Sequence, residues 1–321
     1  MSAIEIIPLS DAIGAEIRNV DLREPLTDAA ARTIEQAWYD HVIVLFRDQD
    51  ISLEQQKAFG ANYGEIAIRV RDGTTRAERE MGENVMLISN IRENGEQIGK
   101  LPDGEMMFHS DTPYVENPQK ATLLYAIEVP TIGGETLFSN SYKVAETLPE
   151  DVKRRIAGRK ALQIYDYNTD DVPTGNFDRG KHPHFEHPIF RKHPETGRTS
   201  LFVSELMTDE IIGLPEDESR QLLQSLFGHQ RKEEFVYAHA WRPGDLLMWD
   251  NRCSVHARND FPSDQRRLLR RLTLYDEHPV LAGEPPYREA ALHLKEYGWG
   301  EGNKELGAYI IDADLISRQL V

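Results

Sequence analysis

This 321-residue chain has a single cysteine and too few basic residues to balance its acidic ones. Its 37 Lys and Arg are outnumbered by 54 Asp and Glu, for a formal net charge of −17. Phosphate backbones and anionic bilayers would be repelled by such a surface, so neither nucleic acid nor membrane is expected as a partner. The lone Cys253 excludes an intrachain disulfide, which makes a reducing, cytoplasmic compartment the expectation. Long apolar runs are missing too. None approaches the ~20 residues of a membrane span, and the opening Met1-Ser2-Ala3-Ile4-Glu5 lacks the basic and apolar regions of a secretory signal.

What is present is a series of short apolar runs. Val42–Phe46, Val85–Ile88, Thr122–Ala126 and Leu246–Trp249 read as buried strands. Helices are fewer. Thr27 opens one through about Tyr39, and Ser52 with Gln55 forms a capping box for a second that stops near Gly64. Pro149 starts another that Gly158 can end, and Pro215 starts one reaching about Phe227. Many strands with helices at the start and in insertions suggest a mainly β chain with peripheral helices (α+β), built on a jelly-roll core. With no repeat or low-complexity linker, one domain spanning 1–321 is expected. Polar insertions near 71–84 and 166–184 read either as lids or as plain surface loops.

The chemistry is concentrated in few residues. His109 and Asp111, two apart on an extended strand, would point to one side. With the distant His256 they could fill one face of an octahedral metal, leaving the opposite face open as a non-haem Fe(II) centre requires. Downstream, Gln265 to Tyr275 read as a strand that puts Arg267 and Arg271 on one face, with Arg266 and Arg270 on the other. Inward guanidiniums need anions to meet them. A solubilising cationic edge is the competing reading. Cys253, although close to His256, is read as a small apolar strand residue and not as a ligand.

His109-x-Asp111, Gly133-Gly134-Glu135-Thr136-Leu137, Trp249-Asp250-Asn251-Arg252, His256, and Arg267 and Arg271 at eleven and fifteen residues beyond it together resemble the Fe(II)/2-oxoglutarate-dependent taurine dioxygenase family, which includes the 2,4-dichlorophenoxyacetate dioxygenases. The similarity runs from about Ile4 to about Pro279 and takes in the hairpin from His187 to Val203. It implies a double-stranded β-helix core, Fe(II) on His109, Asp111 and His256, 2-oxoglutarate held by Arg267 and Thr136, and Arg271 gripping a substrate anion. It further implies hydroxylation by O₂ through a ferryl-oxo species with release of succinate and CO₂, and C–heteroatom cleavage as one net outcome. The segment from 281 to 321 lies beyond the resemblance. Members of the family often associate, which leaves a homo-oligomer open.

Departures fall on the substrate side. Glu105 stands where taurine-type members carry Asn, Arg69 and Asp72 where they carry His and Tyr, and Met207 where they have an aromatic. Arg69 with Arg271 suits a small anionic molecule such as a sulfonate, carboxylate or phosphonate; Glu105 could instead recognise an amine. Two alternatives remain at this point: a cupin-type dioxygenase centred on His182 and His184, which would need no 2-oxoglutarate, and a non-catalytic jelly-roll binding module. Proline within His182-Pro183-His184 argues against the first, and His239 reads as a packed or surface residue.

Overall fold

The structure, a computed structural model, describes residues 3–68, 74–101, 104–165 and 182–287. The chain divides into two compact units, Met1–Pro285 and Pro286–Val321, and the account below concerns the first.

Seven strands form one sheet, in the order Glu5–Pro8, Ala15–Arg18, Ile43–Phe46, Leu246–Asp250, Ala121–Glu128, Leu268–Leu274 and Met86–Ser89. Four form a second, in the order Val236–His239, Thr136–Asn140, Ser254–Arg258 and Met106–His109. Neighbours run antiparallel, except that Ala15–Arg18 and Ile43–Phe46 are parallel. Period-2 alternation explains why the central strands read as unbroken apolar runs, because both faces of the larger sheet are covered. Ile43, Leu45, Leu124, Leu247, Trp249 and Leu269 face the smaller sheet and meet Phe138. Val44, Phe46, Leu123, Met248 and Leu272 point the other way, against Trp38 and Phe59 on helices Asp28–His41 and Leu53–Gly60.

Local signals set these helices. The Thr27 hydroxyl accepts from the Ala30 N–H. Ser52 and Gln55 make the reciprocal capping box, worth about 1 kcal/mol per cap. The helices opened by Pro149 and Pro215 span Glu150–Ile156 and Glu216–Gln230. They share a third apolar cluster, which includes Ile156, Ile189, Leu201 and Leu226. Among the described residues no helix is long and apolar enough to cross a membrane.

Two expectations need correction. Residues 76–81 of the first polar insertion form a helix, Arg76–Met81, capped by Thr75 and Glu78; a charged sequence hides it because its stability comes from the cap and from the buried Glu78 carboxylate, which accepts from the Leu87 N–H at 2.9 Å. Cys253 lies in the turn before Ser254–Arg258 and not on the strand, although it is buried in the core as expected. Of the second insertion, 166–181 fall outside the described residues, as do Arg69 and Asp72.

Candidate active site

His109 and His256 stand opposite each other on adjacent antiparallel strands of the smaller sheet. Their rings lie 4.1 Å apart. The His109 Nδ1–H donates to the Met107 carbonyl at 2.9 Å, which leaves Nε2 with its lone pair free to bind a cation. His256 is oriented by packing against Trp249 and Phe138, and its buried Nδ1 has no hydrogen-bond partner among the described residues. The strand ends at His109, so Asp111 does not share a strand face with it as the alternation predicts. The chain turns at Thr112, whose φ is +51°, and Ser110 Oγ pins the turn by donating to the Asn251 carbonyl at 2.7 Å. The turn nevertheless brings Asp111 to the two imidazoles. One ligand atom from each of the three residues lies within 4.8 Å of the others.

Electrostatics put these groups in the protonation states a divalent cation needs. Burial pushes the pKa of both imidazoles down, most strongly for His256, so both are neutral near pH 7. Burial would raise that of Asp111, but Arg271, His256, His109 and the Thr122 hydroxyl outweigh it and hold the carboxylate ionised. Two neutral imidazoles and one carboxylate suit a first-row divalent metal.

Arg267 and Arg271 face inward, away from Arg270, as the alternation expects, although the strand begins only at Leu268 and leaves Arg266 and Arg267 just ahead of it. Arg267 is 1% exposed, Arg270 lies beneath the outer helix with its Nε donating to Gln56 at 2.7 Å, and Arg266 pairs with Glu128 at the surface. No described carboxylate meets Arg267. Its Nε is buried without a partner among the described residues, one NH₂ reaches the Gly134 carbonyl at 3.4 Å, and burial followed by the nearby charge of Arg258 lowers its pKa to about 9. The glycine pair makes this close approach possible. At Gly133, φ is +73° and a Cβ would lie 2.4 Å from the Asp260 carbonyl, so only glycine lets this loop pack on Asp260 and Phe261. Phe261 in turn lies 6.0 Å from the Arg267 guanidinium. Thr136, two residues on, pairs in register with Arg258, and its Oγ1 accepts from the Trp241 indole at 2.9 Å. That leaves the Thr136 hydroxyl proton available to donate.

The remaining sequence candidates are dispersed. Arg271 places one NH₂ 2.7 Å from Asp111 Oδ1, on the metal-ligand candidate itself. Glu105 is exposed just before the His109 strand. Met207 is buried on a segment docked to that strand through Leu206 N–H to Phe108 O at 3.1 Å. His184 is exposed and His182 only half-buried, and neither joins a metal-ligating group among the described residues. His239 is packed, with Nε2 3.2 Å from Asp245. A second cluster of His193, Asp250 and Cys253 has metal-like spacing. Yet Asp250 is held in a bidentate pair by Arg252, at 2.9 and 2.7 Å, and burial keeps the Cys253 thiol protonated, which makes it a poor ligand. This buried ion pair, extended by Glu195 and His193, braces the turn that feeds the His256 strand.

Sequence reasoning missed Arg258, whose His-x-Arg spacing from His256 was a readable same-face signal. It also missed Thr122, eleven residues beyond Asp111, whose contact with it follows no helix or strand period.

The sequence matches the family described as "Taurine catabolism dioxygenase TauD, TfdA family" over residues 5–273. It is 33% identical over 285 residues to the alpha-ketoglutarate-dependent 2,4-dichlorophenoxyacetate dioxygenase of Cupriavidus pinatubonensis, covering 85% of this chain and 98% of that one. It is 30% identical to the (S)-phenoxypropionate/alpha-ketoglutarate-dioxygenase of Sphingobium herbicidovorans, covering 91% and 99%. Among solved structures, AAD-2 in complex with Mn(II) and N-oxalylglycine superposes with a TM-score of 0.73 at 28% identity, over 87% of this chain and 100% of that one. With the match spanning both sheets and the His–Asp–His cluster, the chain belongs to the taurine catabolism dioxygenase TauD, TfdA family, and with it to the 2-oxoglutarate-dependent iron dioxygenases.

Proposed function

We propose that His109, Asp111 and His256 hold Fe(II), that Arg267 and Thr136 hold the distal carboxylate of 2-oxoglutarate, and that the enzyme hydroxylates a small anionic substrate. The observation that carries this reading is a buried guanidinium, Arg267, that meets no described carboxylate and lies just ahead of the strand from which Arg271 reaches the His–Asp–His cluster. Leaving such a charge uncompensated is costly, and a dicarboxylate co-substrate supplies the missing anion at its far end. In the same reading the two facing sheets form the double-stranded β-helix that the sequence resemblance implies.

Bound iron, with 2-oxoglutarate and O₂, supplies the oxidising power that places oxygen into a substrate C–H bond. The protein's part is placement. Thr136, whose oxygen accepts from Trp241, is left to donate its own proton to the co-substrate carboxylate. Arg271, half-buried at the edge of the cluster, is the nearest described cation for a substrate sulfonate, carboxylate or phosphonate. Arg69 is proposed as a second cation and Met207 as an apolar wall. Glu105, exposed ahead of the His109 strand, offers a contact for an amine at the entrance.

Anaerobic addition of Fe(II) and 2-oxoglutarate should give the weak visible charge-transfer band of a chelated keto acid, and His256→Ala should abolish it. A panel of small sulfonates, carboxylates and phosphonates should contain members that stimulate succinate release. A protein that shows no band and no stimulated release with any of them would refute the reading.

A further inference from the structure

We infer that Asn251 and Thr122 are positioning residues that set which oxygen of Asp111 faces the metal, through a hydrogen-bond chain with only one possible direction. This rests on the ligand assignment proposed above and concerns what holds one ligand in place.

The chain begins at an indole, which can only donate. Trp249 Nε1–H gives its proton to Asn251 Oδ1 at 3.0 Å, and the Asp111 backbone N–H approaches the same oxygen at 3.4 Å. Two donors on one atom identify it as the amide oxygen, so the other end of Asn251 is its NH₂ group. That group donates to Thr122 Oγ1 at 3.1 Å. Having accepted there, Thr122 directs its single proton onward to Asp111 Oδ2, at 2.5 Å. Thr122 and Asn251 are both 0% exposed, so no water can supply an alternative partner and reverse the order.

The consequence falls on Asp111. Its Oδ2 is committed to a hydroxyl, while Oδ1 lies 3.9 Å from His256 Nε2 and 2.7 Å from Arg271. A carboxylate restrained in this way offers a single oxygen to a metal. The restraint turns Oδ1 toward the imidazoles and Oδ2 toward Thr122, and bidentate binding would have to rotate the carboxylate against that hydrogen bond. The backbone contributes as well: Ser110 Oγ donates to the Asn251 carbonyl, and the Asn251 N–H donates to the Lys120 carbonyl at 3.0 Å, so one asparagine ties the turn before Asp111 to the start of the strand that carries Thr122.

The test is Mn(II) binding to the full-length protein by calorimetry, with the Mn(II) electron paramagnetic resonance spectrum as the signature of coordination. Thr122→Val keeps the shape and deletes the proton. It should weaken Mn(II) about 10–100-fold, the usual effect of removing an outer partner of a ligand, and change the spectrum. Thr122→Ser should restore both to within about threefold of wild type, which a purely steric role of the methyl group would not. Asn251→Asp removes the NH₂ donor and lets Thr122 turn its proton to the new carboxylate, so it should resemble Thr122→Val. It carries the same test should Thr122→Val fail to fold. Wild-type affinity and spectrum in a folded Thr122→Val or Asn251→Asp protein would overturn the inference. Failure of the wild type itself to bind Mn(II) would instead sink the ligand assignment.

Discussion

Replacing Arg267 by Met should make the ligand-free protein more stable and blind to its co-substrate. Burial and the neighbouring Arg258 depress the guanidinium pKa from 12.5 to about 9. At about 1.4 kcal/mol per unit, the charged form is penalised by about 5 kcal/mol. The group still carries its charge at pH 7, so the ligand-free fold bears that penalty. A methionine of similar length removes the charge and fills much of the space, for a gain of about 1–4 kcal/mol, as seen when buried charges give way to apolar packing. At roughly 2–4 °C per kcal/mol for domains of 150–250 residues, the melting temperature should rise by several degrees. The response to ligand should move the other way. In Mn(II), which does not support turnover, 2-oxoglutarate at about 100 times its Kd should stabilise the wild type by about 2.7 kcal/mol. Arg267→Met should show almost none of that shift at the same concentration. Differential scanning fluorimetry with and without 2-oxoglutarate reads both effects. A variant less stable than wild type, or one that still gains the full ligand shift, would show that Arg267 is satisfied within the protein and is not the co-substrate's anchor.

Three further outcomes are expected. His256→Ala should lose Mn(II) binding in calorimetry while retaining the fold by circular dichroism; retained binding would remove it from the ligand set. Arg271→Ala should abolish substrate-stimulated succinate release yet leave the 2-oxoglutarate stability shift in place, and loss of both would contradict the division of labour between the two arginines. His187 is buried, and its pKa is lowered from 6.5 to about 4, chiefly by burial, so the folded state prefers it neutral. The unfolded chain binds this proton first, so the contribution is complete above about pH 6.5 and is lost as pH falls toward 4. Urea denaturation should show about 2 kcal/mol less stability at pH 5 than at pH 7 from this residue, and His187→Gln should flatten that part of the profile.

The convergence of His109, Asp111 and His256 was legible because few residue types bind a divalent cation and their order along the chain is distinctive. Side-chain direction was less so. His109 and Asp111 were expected on one strand, but the backbone leaves the ladder at Ser110, and convergence is achieved by a turn anchored 140 residues away on Asn251. The strand pattern sorted Arg267 from Arg270 correctly, because alternation is a local property. Thr122 acts through a neighbour outside its own strand, where composition and spacing carry little signal. The short helix Ser141–Thr147 escaped notice for a similar reason: it follows its strand directly and is set by the Asn140 cap, which receives the Tyr142 and Lys143 N–H groups.

The solitary thiol has a practical use. Cys253 is 2% exposed, and burial, reinforced by the Asp250 charge, raises its pKa well above 9, so the reactive thiolate is scarce in the native state. Alkylating reagents should therefore reach it only when the turn carrying Asp250 and Arg252 opens. The rate of its labelling becomes a built-in clock for that opening, readable by mass spectrometry at one position without any engineered probe.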